Sequence, residues 1–103
     1  MQINRIRDKE LDQLFEAVLS LENKEECYQF FDDVATINEI KSFAQRFHVA
    51  HLLHEGKKYT EIEQETKAST ATISRVRRCL DFGSGGYKLV LDRLDDKNRN
   101  NKF

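Results

Sequence analysis

Residues 59–80 read YTEIEQETKASTATISRVRRCL, and the way this stretch divides decides the fold. Tyr59 to Thr66 is expected to form one brief helix, Lys67-Ala68-Ser69 a tight connection, and Thr70 to about Leu80 a second helix with Ile73, Val76 and Leu80 facing inward. Two short helices across a turn of three to four residues make a helix-turn-helix. With Ile73, Val76 and Leu80 on one side of the wheel, Ala71, Ser74, Arg75 and Arg78 fall on the other, and Thr70 stands at the exposed N-terminal end. This outward face is small and polar first, then basic. Such an order suits a recognition helix: short side chains let its first turns enter the major groove, while arginines reach guanine edges or phosphates. Ser69 is placed as the N-cap, where neighbouring free amides can hold a phosphate. Lys67, in the turn, would sit beside the nucleic-acid backbone. Arg77 lies nearer the inward side and is read as structural or inter-subunit.

The overall charge of −1 conceals an asymmetry that supports this reading. Residues 1–40 carry a net −6, residues 41–80 a net +4 and residues 81–103 a net +1. From Thr66 to Leu80 there are Lys67, Arg75, Arg77 and Arg78 and no carboxylate. A local positive surface of this kind attracts phosphate even on a slightly acidic molecule.

Upstream, Leu11, Leu14, Phe15, Val18 and Leu19 recur at the three-four spacing of one helix face, predicting a helix from about Arg7 to Leu21. Asn23 with Glu26 fits a capping pair, and Cys27, Phe30, Phe31 and Val34 then form the stripe of a second helix. Thr36 with Glu39 repeats the logic and opens a third helix that should run to Glu55, where Gly56 supplies a left-handed terminus. One side of that helix carries Ile37, Ile40, Phe43, Ala44, Phe47 and Ala50, while Val49, Leu52 and Leu53 add apolar surface elsewhere. A helix apolar over most of its circumference needs cover on several sides, so a homodimer built around it is expected. The alternative is that the chain's own first helix covers Val49 and Leu53. Beyond Gly83-Ser84-Gly85-Gly86, the residues Tyr87, Val90, Leu91 and Leu94 suggest a final helix. The expected organisation is one all-α domain over residues 1–94, with the helix-turn-helix at about 59–80 and a flexible tail over 95–103.

Composition narrows the class. A chain of 103 residues suits one domain. At 39% hydrophobic and 34% charged it is too apolar for disorder and too charged for a membrane protein. No run approaches the roughly 18 apolar residues of a bilayer span. Met1 to Lys9 is not followed by an uninterrupted apolar segment, so no secretory leader is expected and a cytoplasmic location follows. Proline is absent, which favours long helices, and Cys27 and Cys79 lie too far apart for a zinc ribbon, so reduced thiols are expected.

Other constellations are weaker. His48, His51 and His54 recur at a spacing of three, but no carboxylate or thiol lies at ligand spacing along the chain, so hydrogen-bonded core or interface histidines are expected, whose protonation near pH 6 would weaken assembly. Cys79 is read as a packed thiol, and Tyr59 and Tyr87 as packing residues with one wet end. There is no nucleophile-base arrangement and no phosphate-cradling loop after a strand. The expectation is no enzyme, no metal and no cofactor.

Leu52-Leu53-His54-Glu55-Gly56, Tyr59-Thr60-Glu61-Ile62 and Ala71-Thr72-Ile73-Ser74-Arg75 together resemble the Trp-repressor family, and the acidic N-terminal helices resemble its YerC/YecD-type branch. The resemblance covers about Asp33 to Leu94. It implies six helices, an intertwined homodimer of the first three and last helices, and a DNA-reading head made by the fourth and fifth. It implies a transcriptional regulator, usually a repressor, on double-stranded DNA with a two-fold symmetric operator. Glu63 and Lys67 depart from the generic motif, which often has alanine and glycine there. In tryptophan-responsive relatives two arginines hold the amino acid; aligning by motif puts Arg46 and Arg75 there, with Thr36 near a third position. Val76 stands where that pattern has a glycine that leaves room for the indole, so tryptophan is not carried over, and Arg46 is read as a surface or salt-bridging residue. The expected DNA-facing set is Lys67, Ser69, Thr70, Ala71, Ser74, Arg75 and Arg78. The rival expectation is a protein-interaction module that uses the acidic N-terminal half to grip a basic partner.

Overall fold

A computed structural model describes residues 7–100 and places six helices and no strand among them. In chain order they are α1 (Lys9–Leu19), α2 (Lys24–Val34), α3 (Ile37–His54), α4 (Tyr59–Thr66), α5 (Thr70–Phe82) and α6 (Gly86–Asn100). Residues 1–6, where the expectation about a leader begins, and residues 101–103 of the expected tail lie outside the described residues.

Side-chain caps set most of the boundaries. Asp8 accepts from the Leu11 N–H at 2.9 Å and opens α1 two residues later than the periodicity suggested. Asn23 accepts from the Glu26 N–H at 2.9 Å, yet the Glu26 carboxylate takes the N–H of Glu22 at 2.8 Å instead of that of Asn23. Thr36 and Glu39 do reciprocate: the Glu39 N–H donates to Thr36 Oγ1 at 3.2 Å and the Thr36 N–H to Glu39 Oε1 at 2.9 Å. At the other end of α3, Gly56 at φ +84° sends its N–H to the Leu53 carbonyl while Lys57 bonds that of Leu52, each at 3.0 Å. This paired closure needs the left-handed backbone that glycine adopts without strain.

The described chain divides into two compact units between Lys41 and Ser42, inside α3. In the second unit Val49, Ala50, Leu52, Leu53, Ile62, Ala68, Ile73, Val76 and Leu91 form one buried cluster, with Phe47, Leu80 and Tyr87 packed against it. Val49 and Leu53 are therefore covered by α4, α5 and α6 residues of their own unit. In the first unit no described residue is buried. Leu19, Tyr28 and Ile37 are mostly exposed, and a groove of about 520 Å³ runs past Tyr28, Phe31, Ala35, Ile37 and Ile40.

Helix α6 continues to Asn100, beyond the expected end at Leu94. The Lys88–Asp92 pair at 3.0 Å supports its first turns, and Lys97 and Arg99 in the last turn complement the negative end of the helix dipole. Between α5 and α6, Gly83 is required by space: a Cβ there would collide with the Cys79 carbonyl oxygen that receives the Gly83 N–H.

Candidate nucleic-acid interface

Helix α4 buries Ile62 completely, and its last residue, Thr66, organises the turn. The Thr66 hydroxyl donates to the Ile62 carbonyl at 2.7 Å and accepts from the Ala68 N–H at 3.1 Å. The Thr66 carbonyl accepts from Gln45 Nε2, on α3, at 3.1 Å. Lys67 adopts φ +62°, a left-handed conformation that costs a side-chain-bearing residue roughly 1–2 kcal/mol. Its N–H closes α4 on the Glu63 carbonyl at 2.9 Å, and its side chain is left in solvent. Ala68 then turns into the core, and Ser69 begins α5.

Ser69 caps α5 as its type predicts, accepting from the Thr72 N–H at 3.1 Å and donating to Thr72 Oγ1 at 3.0 Å. Ile73 and Val76 are buried, at 0% and 1% exposure. Their burial fixes the rotation of the helix, so Thr70, Ala71, Ser74, Arg75 and Arg78 all stand in solvent. No described ion pair engages Lys67, Arg75 or Arg78. The nearest constraint on the face comes from α4: the Thr70 hydroxyl donates to Glu63 Oε1 at 2.5 Å, a contact seven residues apart that helix periodicity does not reveal. Chemically the face offers cations, small hydroxyls and a capped helix start to an anionic, grooved partner.

Several expectations need correction. Arg77 is exposed and does not lie toward the inward side, and it bonds Asp81 Oδ2 at 3.1 Å along its own helix, an intrahelical ion pair that accords with the structural reading. Cys79 is exposed and not a packed thiol, since Leu80 is the residue of that turn that packs against the core. Arg46 has neither a surface position nor a carboxylate partner among the described residues: it is half-buried, donates to Ser42 Oγ at 3.0 Å and stands 5.3 Å from the Phe43 ring centre. Thr36 serves as the cap of α3.

The three histidines are exposed on this chain and contribute nothing to its core. His51 Nε2 lies 3.6 Å from Glu55 and His54 Nε2 3.1 Å from Asp95. Glu55 stands four residues after His51 on the same helix, so a carboxylate does lie at ligand spacing along the chain, contrary to expectation, and the fold adds a second grouping: donor atoms of His54, Asp92 and Asp95 lie within 4.8 Å of one another, although Asp92 already holds Lys88. Tyr87 packs on the core with its ring half-covered. Burial pushes its phenol above the ordinary value and Cys79 adds to this, while the charges of Arg46 and Arg75 oppose it. The two arginines aligned with the amino-acid-holding pair therefore act on one phenol. Val76, next to Arg75, is locked in the core where space for an indole would be needed.

The family model described as Trp repressor protein matches residues 9–95. The uncharacterized protein YerC of Bacillus subtilis (strain 168) is 60% identical over 96 residues, covering 93% of this chain and 92% of its own. A crystal structure of a Trp repressor candidate from Staphylococcus aureus superposes with a TM-score of 0.89 at 56% identity, covering 92% of this chain and 95% of that one. A TrpR-like protein from Eubacterium eligens ATCC 27750 gives a TM-score of 0.86 at 51% identity, covering 89% and 95%.

Proposed function

Since the chain belongs to the Trp repressor protein family, whose members are helix-turn-helix DNA-binding regulators and not enzymes, we propose that it represses transcription as a homodimer on a two-fold symmetric operator. The observation that carries this reading is the solvent-facing side of α5. There Thr70, Ala71, Ser74, Arg75 and Arg78 are rotated outward by the burial of Ile73 and Val76, and the arginines are unpaired among the described ion pairs. Arg75 and Arg78 reach base edges or phosphates, Ser74 and Thr70 read bases, and Ala71 permits close approach. Ser69 with the α5 N-terminus and Lys67 hold the phosphate backbone.

Dimerisation is supported by the uncovered apolar residues of α1 and α3, among them Leu19, Ile37 and Phe43. A two-fold axis would set the recognition helices about 34 Å apart, one turn of duplex. No described helix is long and apolar enough to cross a membrane, and a cytoplasmic location follows from the proposed role. Residues 1–94 would act as one domain, with α6 continuing past it. Val76 argues against tryptophan as effector: adding the amino acid should leave operator affinity unchanged.

Selection of preferred duplexes from a random pool tests the reading. The expected product is a palindrome with half-site centres about one helical turn apart, bound with a strong salt dependence. A chain carrying both Arg75→Ala and Arg78→Ala that kept full operator affinity would overturn it. Salt-sensitive capture of a basic protein by the acidic N-terminal half, without duplex selection, would favour the interaction-module alternative.

A further inference from the structure

Glu63 and Thr70 face each other across the turn of the helix-turn-helix, and their hydrogen bond constrains what Thr70 can recognise. A threonine hydroxyl owns one proton and two acceptor lone pairs. Here the proton is committed to Glu63 Oε1 at 2.5 Å, and a bond from a hydroxyl to an ionised carboxylate is roughly twice as strong as a neutral one. The pairing is held by the backbone as well as by the two side chains. Glu63 lies in the last turn of α4 and its carbonyl takes the Lys67 N–H; Thr66 braces Ile62 and Ala68; Ser69 caps the helix that Thr70 begins. Glu63 is half-buried and joins no described ion pair, so no cation competes for its carboxylate among the described residues. Thr70 is exposed at the start of α5, and the bond to Glu63 uses its proton but not its two lone pairs.

Resting on the DNA-reading role proposed above, we propose that Glu63 is a specificity-determining positioning residue. By holding the Thr70 proton it leaves that oxygen able only to accept, so Thr70 selects, at one base pair in each half-site, an exocyclic amine on the strand it faces. In the major groove that amine is adenine N6 or cytosine N4, whereas guanine O6 and thymine O4 present acceptors. A keto base opposite Thr70 sets lone pair against lone pair. The discrimination is therefore amine against keto, and it is blind to purine against pyrimidine. Without Glu63 the hydroxyl rotates freely, donates to keto oxygens as readily as it accepts from amines, and loses the preference.

The test compares the wild-type chain with Glu63→Ala, Thr70→Val and the double variant. Each is used in random-pool selection, followed by competition binding with duplexes that differ only at the selected pair. Thermal unfolding is followed in parallel. The wild type should favour amine over keto bases by about tenfold, each single variant should fall below about twofold, and the double variant should fall no further. Retention of the wild-type ratio by either single variant overturns the proposal. If Glu63→Ala fails to fold, Glu63→Met, which keeps the side-chain stem and lacks the carboxylate, is read by the same criterion. A wild-type chain that selects no duplex removes the DNA-reading role itself, and this inference with it. A wild-type palindrome whose base preference survives Glu63→Ala removes only the role of Glu63.

Discussion

The described residues of 42–103 and of 1–41 both form amphipathic helices, but only the first set seals a core within one chain, and even it leaves Phe82 85% exposed and Phe43, Leu89, Val90 and Leu94 partly exposed. Ile62, Ile73 and Val76 are sealed from solvent, while Leu19 is 84% and Tyr28 75% exposed and no described residue of the N-terminal unit is buried. Periodicity identifies the face that requires burial in both cases. It does not identify what buries it. For Val49 and Leu53 the cover is the chain's own α4 to α6, and for Leu19, Ile37 and Phe43 the proposed homodimer would supply it from a second copy.

The contrast can be broken most severely at the sealed end. Ile73→Ala should cost about 2–5 kcal/mol in chemical denaturation, since the side chain is wholly enclosed. A loss below about 1 kcal/mol would mean that α5 does not anchor its unit in this way. At the open end, Ile37→Ser should change the chain's own folding by less than about 0.5 kcal/mol yet weaken dimerisation about tenfold or more, read by sedimentation equilibrium. An unchanged dissociation constant removes Ile37 from the interface.

The cap that opens α3 gives a smaller effect with a pH signature. Thr36→Ala should destabilise by about 1 kcal/mol. The Thr36 N–H, with its hydroxyl adding to the effect, holds the Glu39 carboxyl below its ordinary value. A depressed folded-state value stabilises fully above the unfolded one, about 4.3, and the stabilisation is lost as pH falls through the folded value. Wild type and Glu39→Gln should thus differ at pH 7 and converge on acidification below that range in urea titrations; a constant difference would exclude the linkage. The smallest change is expected from Lys67→Gly. Relief of the left-handed backbone should stabilise by at most about 1 kcal/mol, while the lost charge lowers the slope of log affinity against log salt by about 0.9. Stability and DNA affinity should move in opposite directions.

The features legible beforehand were those that repeat or sit at a fixed short offset. Ile73 and Val76 determine the outward set by geometry, and Ser69, Asn23 and Thr36 are capping types three residues before the amides they accept from. What escaped depended on partners set by the fold. Glu63 meets Thr70 across a turn, and His54 meets Asp95 across 41 residues. Lys67 carries no glycine-like signal for its positive φ, and Arg46 found a hydroxyl and a ring where its charge suggested a carboxylate. The run from Asp95 to Asn100 looked like a tail because it lacks apolar periodicity, yet helix continuation needs only compatible backbone and favourable end charges.

The brace from Gln45 to the Thr66 carbonyl ties the turn to the long helix at a point that none of the outward residues touches. Positions 71, 74, 75 and 78 take no part in that brace or in the buried cluster, whereas Thr70 is tied to α4 through Glu63. With the DNA-reading role proposed above, duplicated genes built on this scaffold would be free to drift toward new target sites through point changes at these four positions, without a matching loss of heat tolerance.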